Sequence, residues 1–95
     1  MPKLSSEEIS QELKSMKGWS IHRGKLHKEY EFEDFESAMA FISRIAPLAA
    51  KMDHHPDIFN SYNKVVIDLV THEESGVTEK DFQLAKQIDR VEHVN

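Results

Sequence analysis

No cysteine occurs in this chain of 95 residues. That excludes a disulfide framework and any thiolate metal site, and it suits a reducing compartment. Glycine and proline are scarce, at three each, so neither a collagen-like repeat nor a flexible linker can be built from them. Apolar residues never run to the ~18 that a membrane span requires. The opening Met1-Pro2-Lys3-Leu4-Ser5 lacks the apolar stretch of a signal peptide. Positive charge is also in deficit. Twelve basic against 17 acidic side chains give a net charge of −5, which argues against a direct nucleic-acid binder, since those usually present a basic face. The expectation is one domain over residues 1–95, cytoplasmic, with no membrane partner. A chain of this size buries roughly 60–68% of its unfolded surface, enough for one modest core.

The elements can be read from local signals. Ser5 and Glu8 form a capping box, and Leu4 and Ile9 a hydrophobic staple. Ile9, Leu13 and Met16 then recur at helical spacing up to Gly18. Trp19 and Ile21, then Leu26, Lys28, Tyr30 and Phe32, alternate around an Arg23-Gly24-Lys25 turn, the pattern of a hairpin. Asp34 caps a longer helix with Phe35, Ala38, Met39, Ile42, Ile45, Ala49 and Met52 along one stripe. Pro47 lies inside it and predicts a kink near 43–47. Pro56 disfavours helical geometry at His55, so the helix should stop before it. A third strand is expected over Asp57–Tyr62, a turn at Asn63-Lys64, and a fourth strand over Val65–Thr71. If that strand extends further, His72 projects from the face opposite Val65, Ile67 and Leu69. Thr78 and Asp81 cap a last helix with Phe82, Ala85, Ile88 and Val91 on its buried side. Antiparallel strands with helices on one face make an α+β two-layer fold, in the order α-β-β-α-β-β-α.

Three of six histidines fall at the ends of these elements, in Asp53-His54-His55-Pro56 and Thr71-His72-Glu73. Imidazole titrates near neutrality, so such a grouping suits an acid–base site. Alone, adjacent histidines read more simply as surface residues. A three-histidine zinc site is disfavoured, because adjacent histidines diverge and no H-x-x-x-H spacing accompanies them. His22, His27 and His93 stand in polar surroundings that suggest no function.

The spacing says more. His54-His55-Pro56 is followed by Tyr62, His72 and Asp81 at intervals of six, ten and nine residues. Around these lie Leu4-Ser5, Gly18-Trp19, Phe32-x-x-Phe35, Phe41-Ile42-x-Arg44, Phe59-Asn60-x-Tyr62-Asn63-Lys64-Val65 and Gly76-Val77-Thr78-Glu79-x-Asp81. Over nearly its whole length the chain resembles the pterin-4a-carbinolamine dehydratases. The resemblance implies a four-stranded antiparallel sheet carrying three helices. It implies loss of water from 4a-hydroxytetrahydrobiopterin to give quinonoid dihydrobiopterin, in tetrahydrobiopterin regeneration, with no cofactor and no metal. His54 matches the first histidine of the pair and is the leading acid–base candidate. His72 should act from another side of the pterin, and His55 should bind and orient it. Pro56, Thr71, Glu73 and Glu74 match the main chain that holds the pterin, Glu74 least securely. Trp19 is weighed first as core and second as pocket wall. Tyr62 and Asp81 belong to the signature, and Asp81 is read as structural because it stands at N3 of a helix.

One position departs from the pattern. An acidic residue commonly stands four before the first histidine, and here it is Ala50. A carboxylate there would share a helix face with His54 and orient it. Asp53 and Glu73 are the candidates to take its place. The resemblance further implies a homodimer or homotetramer. A different reading is a binding module, since some animal relatives, also nuclear, stabilise the dimerisation segment of the homeodomain transcription factor hepatocyte nuclear factor. A third keeps the pocket but moves the substrate to molybdopterin or folate-derived metabolism.

Overall fold

The computed structural model describes residues 2–93. The elements follow in the order α1 (Ser6–Leu13), β1 (Ser20–His22), β2 (Lys25–Glu31), α2 (Phe35–Met52), β3 (Asp57–Ser61), β4 (Lys64–Leu69) and α3 (Glu79–Arg90), with a short 3-10 helix over His72–Glu74 before α3. The four strands form one antiparallel sheet in the spatial order β1-β2-β4-β3. This is the α+β arrangement expected from the sequence.

Strand register decides which side chains face the helices. Leu26 pairs with Leu69, Lys28 with Ile67 and Tyr30 with Val65, while Ile58 and Asn60 of β3 extend the same rows. Alternation along each strand then buries Leu26, Tyr30, Val65, Ile67 and Leu69 on one face. The rows between them carry His27, Asp68 and Asp57, then Glu29, Val66 and Phe59, on the solvent face. Against the buried face lie Phe41 and Ile45 of α2 and Phe82, Leu84 and Ile88 of α3, all with no exposed surface. Each such side chain contributes roughly 1.5–3 kcal/mol by leaving water. Helix α1 buries none of its residues fully and adds only Ile9 and Leu13 at the margin of the core.

The caps are those the sequence announces. Glu8 N–H donates to Ser5 Oγ at 3.1 Å and Ser5 N–H to the Glu8 carboxylate at 2.8 Å. Asp34 accepts from Ser37 N–H at 2.8 Å. Thr78 and Asp81 close a second capping box on α3.

Several boundaries differ from expectation. Helix α1 ends at Leu13 rather than near Gly18, because Lys14, Ser15 and Met16 return to carbonyls three residues back and tighten the chain. Gly18, at φ +86°, serves the turn that follows. Helix α2 is one helix through Pro47, as the apolar stripe continuing past that residue leads one to expect, and Pro47 itself is exposed. Its expected single stripe splits. Ala38, Phe41, Ile45 and Ala49 are buried, whereas Phe35 and Met39 are 43% and 40% exposed on another side. The β3–β4 turn is Tyr62-Asn63, with Tyr62 at φ +53° and its ring exposed, so Lys64 already belongs to β4. Strand β4 stops at Leu69, which removes the strand parity expected for His72. Among the described residues, no helix is long and apolar enough to cross a membrane.

Candidate active site

Two chain reversals bring the histidine segments together. Asp53 adopts the left-handed conformation at φ 50°, ψ 45° and ends α2. The His54 N–H then turns back to the Ala49 carbonyl at 3.0 Å. The left-handed residue also breaks the helical register, so Ala50 and His54 are not a same-face pair on a continuous helix. On the other side, Thr71 N–H donates to the Gly76 carbonyl at 3.0 Å and Gly76 N–H to the Thr71 carbonyl at 3.4 Å. This small closed loop presents His72 and Glu73.

His54, His55, Pro56, Asp57, Val70, His72 and Glu73 line a cleft of about 280 Å³. That is near the lower end of small-molecule sites, which run from roughly 300 to 1,000 Å³. A larger hollow of about 510 Å³ lies elsewhere, between Glu31, Phe32, Glu33, Ser37, Ala40, Arg44, Glu92 and His93. It has a single imidazole, and the Arg44 guanidinium is already committed to the carbonyls of Val91 and Glu92 at 2.8 and 3.1 Å. Proton-transfer groups gather in the smaller cleft.

His54 is 7% exposed, and its Nε2 lies 2.5 Å from Oδ1 of Asp81. Asp81 is completely buried. Its Oδ2 accepts from the Thr78 N–H at 2.8 Å and from the Thr71 hydroxyl at 2.9 Å. One carboxylate thus caps α3, ties down the His72 loop and holds His54. From the sequence Asp81 has only the first of these roles, and Asp53 or Glu73 is expected to supply the missing carboxylate. The partner comes instead from 27 residues further along the chain. Its one visible signal was the signature aspartate at a helix start.

The other expected site residues divide. His55, Pro56, His72 and Glu73 border the cleft, with His55, His72 and Glu73 exposed. Thr71 is buried behind it, and Glu74 is exposed but does not line it. Trp19 is not a wall of this cleft. It is 6% exposed, and its indole N–H donates to Asp89 at 2.9 Å. Asp89 sits in the last turn of α3, about 12 Å along the helix from Asp81 at 1.5 Å per residue. Lys28 and Tyr30 also donate to Asp89, at 2.9 and 2.7 Å. Burial first, and this carboxylate second, push the Tyr30 hydroxyl far above its ordinary pKa. Among the described residues, no group of three or more His, Asp or Glu side chains is arranged to hold a metal ion.

The family model described as pterin 4 alpha carbinolamine dehydratase matches residues 2–91. The chain belongs to the pterin-4-alpha-carbinolamine dehydratase family. A relative from Metallosphaera sedula, provisionally named as a dehydratase of this family, is 45% identical over 97% of this chain and 96% of its own length. One from Sulfolobus acidocaldarius, named in the same provisional way, is 47% identical over 95% and 99%. Among solved structures, a transcriptional coactivator/pterin dehydratase from Brucella melitensis superposes with a TM-score of 0.91 at 35% identity, covering 96% of this chain and 99% of the other. Family membership therefore supports a pterin dehydratase, in which the three-histidine cleft is the candidate active site.

Proposed function

We propose that this protein removes water from a 4a-hydroxytetrahydropterin, with 4a-hydroxytetrahydrobiopterin as the substrate to test and the quinonoid dihydropterin as product. The observation that carries the reading is the convergence of His54, His55 and His72 on one cleft, with His54 backed by a buried carboxylate. In the reaction the C4a–O bond breaks as the hydroxyl takes up a proton and leaves as water. The N5–H proton departs to a base, and its electron pair forms the C4a=N5 double bond. No electron leaves the substrate, and one proton is taken up where another is released. A properly placed imidazole can perform either transfer, each typically contributing ~10²–10⁴-fold.

His54 is the leading acid–base group, held in place from behind. His72, on the opposite loop, reaches the pterin from another side, so the two can serve different stereoisomers. His55, exposed at the mouth, binds and orients the ring. The main chain at Pro56 and Glu73 supplies polar edges for the pterin, whereas Thr71 lies behind them with its N–H and carbonyl bound to Gly76, and Glu74 is more remote. Action in the cytoplasm fits this role.

A second reading, a binding role beside the enzyme, draws on the coactivator description of the Brucella melitensis protein. Exposed Phe35 and Met39, one turn apart on α2, favour a packing surface for a further copy or a transcription-factor segment. The deciding experiment follows dehydration of chemically generated 4a-hydroxytetrahydrobiopterin by ultraviolet absorbance, with and without protein. Acceleration by the folded protein supports the dehydratase. A folded protein that leaves the spontaneous rate unchanged overturns it in favour of binding.

A further inference from the structure

We infer that Asp81 is a positioning residue that fixes His54 with its proton on Nε2, so that His54 meets the pterin through Nδ1. The protons of the buried network behind His54 can be counted. The Thr71 hydroxyl has one proton and donates it to Asp81 Oδ2 at 2.9 Å. The contact between the Thr71 and Thr78 hydroxyls, 2.8 Å, must then be donated by Thr78. Thr78 Oγ1 meanwhile accepts from the Lys80 N–H at 3.2 Å. With the Thr78 N–H also directed at Oδ2, every group facing that oxygen is a donor. Oδ2 therefore carries no proton, and since a carboxyl is a stronger acid than an imidazolium, Oδ1 receives the Nε2–H of His54 rather than donating to it.

The other ring nitrogen is identified by exclusion. Nδ1 has no hydrogen-bond partner among the described residues. No buried side-chain nitrogen or oxygen there is both unpaired and sealed from solvent. Nδ1 is therefore the open nitrogen of a ring that otherwise shows only 7% of its surface, and the ring borders the cleft. A hydrogen bond at one nitrogen selects the tautomer and leaves the other free to take a proton. In the neutral ring Nδ1 is then the base, and the imidazolium that forms is stabilised by the carboxylate behind it.

The catalytic consequence rests on the dehydratase reading, while the tautomer does not. Long-range ¹H–¹⁵N NMR of histidine-labelled protein, at about pH 8 where an ordinary imidazole is neutral, reads the tautomer directly. Wild type should show His54 with Nε2 protonated and Nδ1 bare. In Asp81→Asn the amide oxygen stays with the Thr71 and Thr78 donors, so its NH₂ faces Nε2. The proton must then move to Nδ1, inverting the pattern. Turnover of Asp81→Asn should fall by roughly 10²–10⁴-fold with KM little changed, as when a base is held in the wrong tautomer. A wild-type His54 protonated at Nδ1, or an even mixture, overturns the inference whether or not the variant folds. So does a folded Asp81→Asn that keeps the wild-type pattern. A wild type with the expected tautomer and no dehydration activity would sink the dehydratase reading alone.

Discussion

Thr71→Val removes one oxygen from the network behind the site and leaves the volume almost unchanged. Thr71 is 6% exposed and Thr78 is fully buried, so water cannot easily replace the lost hydroxyl. A hydrogen bond to a carboxylate contributes about 1.5–3 kcal/mol, and the stranded Thr78 hydroxyl adds a similar desolvation penalty of about 1–3 kcal/mol. Against this stands the gain from burying one more methyl group, about 0.8 kcal/mol. Allowing for partial relaxation, the net loss should be about 2 kcal/mol. With a urea m-value of about 1 kcal/mol/M for a small domain, the midpoint should fall by roughly 2 M. For a domain of this length, Tm should drop by roughly 10 °C. Thr71→Ser is the control, since it keeps the hydroxyl and loses a methyl group, at a cost of about 1 kcal/mol. Equilibrium urea unfolding of the three proteins decides the matter. If Thr71→Val matches wild type, or Thr71→Ser costs more than Thr71→Val, the hydroxyl does not hold Asp81 as described.

Two other perturbations test parts of the fold away from the cleft. Asp89→Ala removes a shared acceptor of Trp19, Lys28 and Tyr30, and should cost about 3 kcal/mol in chemical denaturation, because two buried donors lose their partner and the Lys28 ammonium keeps only the Lys17 carbonyl. On the open face of the sheet, His27 contacts Asp68 at 2.7 Å and Glu29 at 3.1 Å. Burial opposes its charge, but the hydrogen bonds to the two carboxylates outweigh that and raise its pKa. Its stabilisation is therefore complete below the ordinary imidazole value of about 6.5 and is lost as pH rises through the elevated folded value. The Tm advantage of wild type over His27→Gln should be larger at about pH 5.5 than at about pH 9, and an advantage that grows with pH would contradict the assignment.

What the sequence disclosed and what it hid divide along contact range. Ser5, Asp34 and Thr78 announce their helices because a cap is a bond to an N–H two or three residues away. Leu26, Tyr30, Val65 and Ile67 announce a half-buried sheet because alternation is local too. The histidine pair and His72 could be singled out by spacing and by likeness to a family. Asp81 as the partner of His54 could not, since it depends on how α3 packs against the end of α2. The Asp89 cluster joins residues 59 to 70 positions apart and left no local trace, so Trp19 was open to reading as a pocket wall. Phe35 and Met39 have the apolar character of core residues, and only the rotation of α2 about its axis shows them exposed. His72 was placed by strand parity, which fails once the chain leaves the β4 ladder at Leu69.

The central claim is that His54 and His72 move the protons of a pterin dehydration. The most direct measurement is the initial rate of 4a-hydroxytetrahydrobiopterin dehydration by wild type, His54→Ala and His72→Ala, each first verified as folded by circular dichroism. Wild type should show a catalysed rate, and each variant a loss of ~10²–10⁴-fold for the isomer its histidine serves. Wild-type rates from both variants, on both isomers, would contradict the claim.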